Sequence, residues 1–132
     1  MEISLKYKYL RLFLAVMLIT AGLAHLFFRK EFTEAIPSII PFKEEVNILV
    51  AITEIVLGAL FFSAFKTAAY KSTFLLFTVY IWVHINFIQI GSCIPSICIP
   101  TWIAWLRLIV IHPLLLFAVF YLIKNDRNSA HI

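Results

Sequence analysis

Four apolar runs, each about 18–22 residues long, fill nearly all of this chain, and over such lengths only helix satisfies every backbone polar group inside hydrocarbon. They are roughly Tyr9 to Phe28, Val46 to Phe65, Thr73 to Ile90 and Trp102 to Ile123. At a rise of about 1.5 Å per residue, each matches a hydrocarbon core about 30 Å thick. The expectation is one domain over residues 1–132, all-α, an integral membrane four-helix bundle. An even number of crossings puts both termini on the same side.

Composition narrows the class further. Only 14% of residues are charged and 63% are hydrophobic, against about a quarter charged in a soluble domain. The net charge of +4 would favour nucleic acid if the basic residues clustered, but they stand singly at the ends of apolar runs. There they anchor helices, so the expected partner is the lipid bilayer and not nucleic acid. Lys6, Lys8, Arg11, Lys66, Lys71, Lys124 and Arg127 fall on one side, and Arg29, Lys30 and Lys43 on the other. That bias places both termini in the cytoplasm of a cell-membrane protein. The basic start also resembles a secretory signal, yet its run continues through Leu26, Phe27 and Phe28, past the usual signal core. It reads as a retained span.

A charge at the centre of a span costs about 2.5 kcal/mol or more, so ionisable residues there are rare, paired and informative. His25, Glu54, His84 and Arg107 lie on four different runs, all in the outer half. Glu54 is about 12 Å below the outer boundary by helical rise, and Arg107 about 7–8 Å. Asn47, Ala51, Glu54 and Gly58 recur at helical steps and make one small-and-polar stripe, which turns Glu54 inward. The expected core of the site is a bidentate Glu54–Arg107 pair. It is either a structural clamp or a clamp that also orients a ligand; a snorkelling Arg107 above a protonated Glu54 is the third arrangement. His25 and His84 join that layer as hydrogen-bonding residues. They lack the local i, i+4 pairing that would point to a metal. His112, before the kink expected at Pro113, reads as a deep polar contact, and Asn86 as an interhelical hydrogen-bonding group.

The connections carry the remaining signals. Residues 29–45 contain Pro37 and Pro41, which exclude continuous helix, beside apolar Phe32, Ile36, Ile39, Ile40 and Phe42. They read either as a cap over the bundle mouth or as a loop packed on helix ends. Residues 91–101 form an uncharged hairpin rich in turn residues. Its Cys93 and Cys98, outside the cytosol, are open to three readings: a structural disulfide, free thiols or a redox-active pair. A flat quinone-like ring has stacking surfaces in Tyr80, Trp82 and Trp105.

The order Leu10-Arg11-Leu12, Ala21-Gly22-Leu23-Ala24-His25, Phe32, Ile36-Pro37, Pro41, Glu54-Ile55-Val56-Leu57-Gly58 and Trp105-Leu106-Arg107-Leu108 resembles the DoxX / DoxX-like family of small four-helix membrane proteins. The likeness runs from about residue 10 to 123, and it rests most on His25, Pro37, Glu54 and Arg107. In the third run only Asn86 matches the family's Pro-Ala-Asn-like stretch, and the cysteine hairpin is foreign to the pattern. The resemblance implies a membrane fold and an association with thiol and quinone redox chemistry. The functional expectation is therefore an accessory subunit, not an enzyme on its own, that binds an apolar or quinone-like ligand beside a redox partner protein. The alternatives are an assembly protein without a ligand and a thiol oxidoreductase using Cys93 and Cys98. A transporter would require a homodimer, since four helices without an inverted repeat offer little for alternating access.

Overall fold

A computed structural model describes the backbone of residues 2–129 and the side chains of residues 5–126. Arg127, counted among the basic anchors, has its side chain outside the described residues. The chain is all-α apart from one small hairpin. Helix α1 (Glu2–Phe27) is followed by a short α2 (Arg29–Ala35), then α3 (Lys43–Leu60) and α4 (Lys66–Gln89). Strands β1 (Cys93–Ile94) and β2 (Ile97–Cys98) pair antiparallel. Helix α5 (Thr101–Leu106) passes through a π-helical turn at Arg107–Ile111 into α6 (His112–Ser129).

Among the described residues, three helices are long and apolar enough to cross a membrane: Leu5–Phe27, Lys66–Gln89 and Thr101–Asp126. Sequence led us to expect four. Helix α3 has 18 residues, and Lys43, Glu44, Glu45 and Glu54 are among them. Length and composition alone therefore do not mark it as a span. Its bounds also differ from the apolar run at 46–65. Glu44 and Glu45 favour an earlier start, where carboxylates meet the positive end of the helix dipole. At the other end the Ser63 hydroxyl donates to the Leu60 carbonyl (2.8 Å) and accepts from the Phe65 N–H (3.0 Å). Those bonds satisfy groups at a helix end, so the chain turns at 61–65 although every neighbour is apolar. Helix α4 then starts at Lys66, seven residues before the run that announced it.

Helix α3 packs along α1, and α6 along α4. The α1–α3 contact is close because two glycines lie in it. A Cβ on Gly22 would sit 2.6 Å from the Ala51 carbonyl oxygen, and one on Gly58 2.8 Å from that of Ala15. Leu14, Ala15, Leu18, Leu57 and Phe61 fill the rest of this seam and are buried. Between α4 and α6, Tyr70, Phe77, Val119 and Leu122 are buried. At the end where α1 begins and α6 ends, Lys66 pairs with Asp126 at 2.8 Å, Thr67 donates to the same carboxylate, and the Tyr7 and Tyr70 hydroxyls meet at 3.1 Å.

Pro113 leaves a helix carbonyl without its usual donor. The chain answers with the π-helical turn just before it, where the His112 N–H donates to the Arg107 carbonyl. Such bulges displace the ladder by one residue and recur at functional sites. Here the bulge starts at Arg107 itself.

Candidate functional site

At the end opposite the termini, α1, α2, α4, the hairpin and the π turn enclose a half-open cavity of about 230 Å³. Its polar lining is His25, Glu31, Tyr80, His84 and Arg107. Helix α2 adds Phe32 and Ala35, α4 adds Val83 and Phe87, and the hairpin segment adds Ile94, Ile97 and Ile99. Apolar walls with a few convergent polar groups are the usual make-up of a small-molecule pocket.

A chain of hydrogen bonds lies behind the polar wall. The Asn47 amide Nδ2 donates to the His25 backbone carbonyl (3.0 Å), which turns Asn47 Oδ1 toward the ring at 2.7 Å from His25 Nδ1. Because that oxygen only accepts, Nδ1 carries the hydrogen. Nε2 is left facing Glu54 Oε2 at 3.7 Å. The other carboxyl oxygen, Oε1, accepts from the Tyr80 hydroxyl at 2.6 Å. Glu54 is 2% exposed, and Oε2 has no hydrogen-bond partner. Phe32 closes the outer side of His25, with ring centroids 3.9 Å apart.

The expected bidentate Glu54–Arg107 pair is not formed. Among the described residues Glu54 has Tyr80 and His25 as its partners, and no ion pair within 4.0 Å joins it to Arg107. Instead the Tyr80 hydroxyl takes one carboxyl oxygen and His25 faces the other. Arg107 instead lines the cavity, and its charge is still felt by Glu54, Tyr80, His25 and His84. Its side chain makes no hydrogen bond or ion pair with any described residue.

His84 lines the cavity too, its ring edge-on to His112 at 4.9 Å between centroids. His112, 3% exposed, donates from Nε2 to the Phe77 carbonyl at 2.6 Å. That ties the last helix to α4 just beyond the π turn. Asn86 makes no side-chain hydrogen bond among the described residues. Trp82 and Trp105 are exposed and outside the cavity lining, so of the three aromatics expected to stack a ring only Tyr80 reaches it. Phe32 and Phe87 supply the remaining aromatic surface.

Cys93 and Cys98 form a disulfide. They are directly opposed in the hairpin, and so are Ile94 and Ile97. Successive strand residues point to opposite faces, so the face bearing Ile94 and Ile97 lines the cavity and the disulfide lies on the reverse. Ser96, at the hairpin tip, donates from its N–H (3.1 Å) and hydroxyl (2.6 Å) to Glu34 Oε2. This latch ties the hairpin to α2 and was not legible in sequence, since nothing periodic connects a helix-end acid to a turn serine.

The Ser96 donors, helped by Lys30, hold the Glu34 carboxyl below the usual carboxylate range. A depressed folded-state value means the latch is fully made above the ordinary range and is lost as pH falls through the depressed value. Protection of the Ser96 amide from hydrogen exchange, taken relative to its intrinsic rate at each pH, should therefore fall on acidification through that value. In Glu34→Gln it should show no such step; a step of equal size there would refute the latch.

The family described as a domain of unknown function (DUF8561) matches residues 14–122. Nothing among curated proteins or solved structures matches the chain.

Proposed function

Because the chain belongs to the DUF8561 family, whose description carries no activity, we propose a function from the geometry: a small multi-pass membrane protein that holds an apolar, quinone-like ligand in its outer-half pocket as an accessory to redox chemistry. The observation that carries this reading is the cavity itself, in which a cation whose side chain has no hydrogen bond or ion pair among the described residues lines the polar end of an apolar space. A ligand oxygen would accept from the Arg107 guanidinium, which offers several donors in a fixed fork. Phe32, Phe87 and the hairpin isoleucines would flank the ring or tail.

Membrane integration as a four-helix bundle is part of this proposal. Phe13, Leu49, Leu75, Ile109 and Phe117 are each more than half exposed and come from every long helical segment. Apolar exposure on that scale needs a cover, and lipid is the cover that suits all sides. Helix α3 shares it through Leu49, Ile52 and Val56, and it lies against α1 at both glycine contacts. A helix so placed crosses with its neighbour, and the charge bias then sets both termini in the cytoplasm. The DoxX-like resemblance is consistent with the redox setting, and a redox protein would be the functional partner.

Ala35→Trp tests the ligand reading by filling the pocket while leaving every polar group in place. The native protein in nanodiscs should bind a short-chain quinone at one site, and the variant should bind it at least about tenfold more weakly with its unfolding midpoint retained. Equal binding by both would overturn the pocket. An assembly protein, the competing reading, would bind none at all.

A further inference from the structure

The hydrogen-bond chain behind the pocket has a consequence for the charge of its occupant. With Nδ1 of His25 donating to Asn47, the Nε2 lone pair and the buried Glu54 Oε2 face each other across 3.7 Å, and no described residue donates to that oxygen. Two acceptors so placed repel, and one proton between them satisfies both. With that proton, the His25–Glu54 pair is neutral overall, whichever of the two carries it. Without it, the pair is a buried anion, and Arg107 is the cation that balances it.

The groups around Glu54 are few. Helix α1 presents His25 and α4 presents Tyr80 and His84; the π turn presents Arg107, and α6 places His112 against His84. Glu31 stands in the cavity lining on α2, with Glu34 engaged by Ser96 and Arg29 by Glu44 at 3.7 Å. Arg107 is thus the one positive charge at the polar end of the cavity among the described residues. An anion that takes Arg107 removes the charge that balanced Glu54 and adds a like charge nearby. A like charge favours the protonated carboxyl.

Building on the pocket reading above, we infer that the same pocket also takes an amphiphile with an anionic head, and that the head binds at Arg107 together with one proton taken up by the His25–Glu54 pair. Linkage makes the effect reciprocal, so the anion binds more tightly where the pair already holds its proton. Between the pH at which the free pair loses that proton and the higher pH at which the liganded pair loses it, affinity falls about tenfold for each pH unit. The recognised chemistry is an oxyacid head with an alkyl tail, from either an anionic lipid or a free amphiphile.

Octanesulfonate is the suitable probe, because its head stays ionised and any proton taken up belongs to the protein. Calorimetry on the purified chain in zwitterionic nanodiscs, repeated in buffers of different ionisation heat, counts those protons. One proton per bound sulfonate is expected. Glu54→Gln, whose amide mimics the protonated acid, should bind sulfonate without proton uptake and without pH dependence. Arg107→Gln should lose sulfonate affinity at least about tenfold. Sulfonate binding to the native chain without proton uptake, or uptake that persists in Glu54→Gln, would overturn the inference. The native measurement suffices should a variant fail to fold. If a neutral quinone binds and sulfonate does not, this inference fails and the pocket stands; if neither binds, the pocket reading fails as well. Competition by phosphatidylglycerol nanodiscs would assign the head to a lipid, and its absence would assign a free amphiphile; the coupling holds in both.

Discussion

Replacing Tyr80 by Phe is expected to lower stability by about 1–3 kcal/mol, the cost of leaving a buried acceptor without its donor. Interhelical hydrogen bonds in membranes average only about 0.6 kcal/mol, because the unfolded state finds partners in the membrane too. Tyr80 should exceed that average, because among the described residues its hydroxyl is the one hydrogen-bond donor to a carboxyl group that is 2% exposed. Glu54→Leu alone strands the Tyr80 hydroxyl and should also destabilise. The double change Tyr80→Phe, Glu54→Leu removes both polar ends and should recover most of the loss, as replacing a whole buried pair often does. Denaturant unfolding of the four proteins in micelles forms the cycle. If the two single losses simply add in the double variant, Tyr80 and Glu54 do not act as a pair.

That cycle also shows where sequence and structure part. The stripe of Asn47, Ala51, Glu54 and Gly58 was legible, since helical spacing fixes which face a residue occupies, and Glu54 is buried as it indicates. Its partner was not, because helical rise assigns depth but not which neighbouring side chain arrives first. The signal lay in Tyr80, one turn from His84 on the same helix face. A hydroxyl at that height competes with a guanidinium for the carboxyl, and it is closer. Hydropathy failed in another way at the α3–α4 corner, where residues 61–65 are mostly apolar and yet turn. Apolarity reports the surroundings of a segment and not its backbone, and there the Ser63 hydroxyl decides the backbone. The cysteine hairpin was legible as a turn, but not as the wall of a cavity.

The two glycine contacts should separate stability from site geometry. Gly22→Leu is expected to cost about 3 kcal/mol, the upper end of what overpacking takes. The obstruction is a backbone oxygen: the first carbon added would lie 2.6 Å from the Ala51 carbonyl, which cannot rotate away as the Ile55 side chain at 2.7 Å can. Gly22→Ala, the milder change, gains about 1 kcal/mol in helix propensity, so any net loss it shows is a lower bound on the clash. Gly58→Ala meets the Ala15 oxygen at 2.8 Å and should destabilise comparably. The consequences for the pocket differ. Gly22 lies three residues from His25 and Ala51 three from Glu54, so prising the helices apart there lengthens the 3.7 Å gap across which the pair shares its proton. Gly58 and Ala15 lie farther along both helices. Thermal unfolding should therefore fall in both alanine variants, whereas proton-coupled sulfonate binding should weaken in Gly22→Ala and persist in Gly58→Ala. Equal loss of binding in the two would mean that ligand affinity follows general stability, and the His25–Glu54 spacing would then have no separate role.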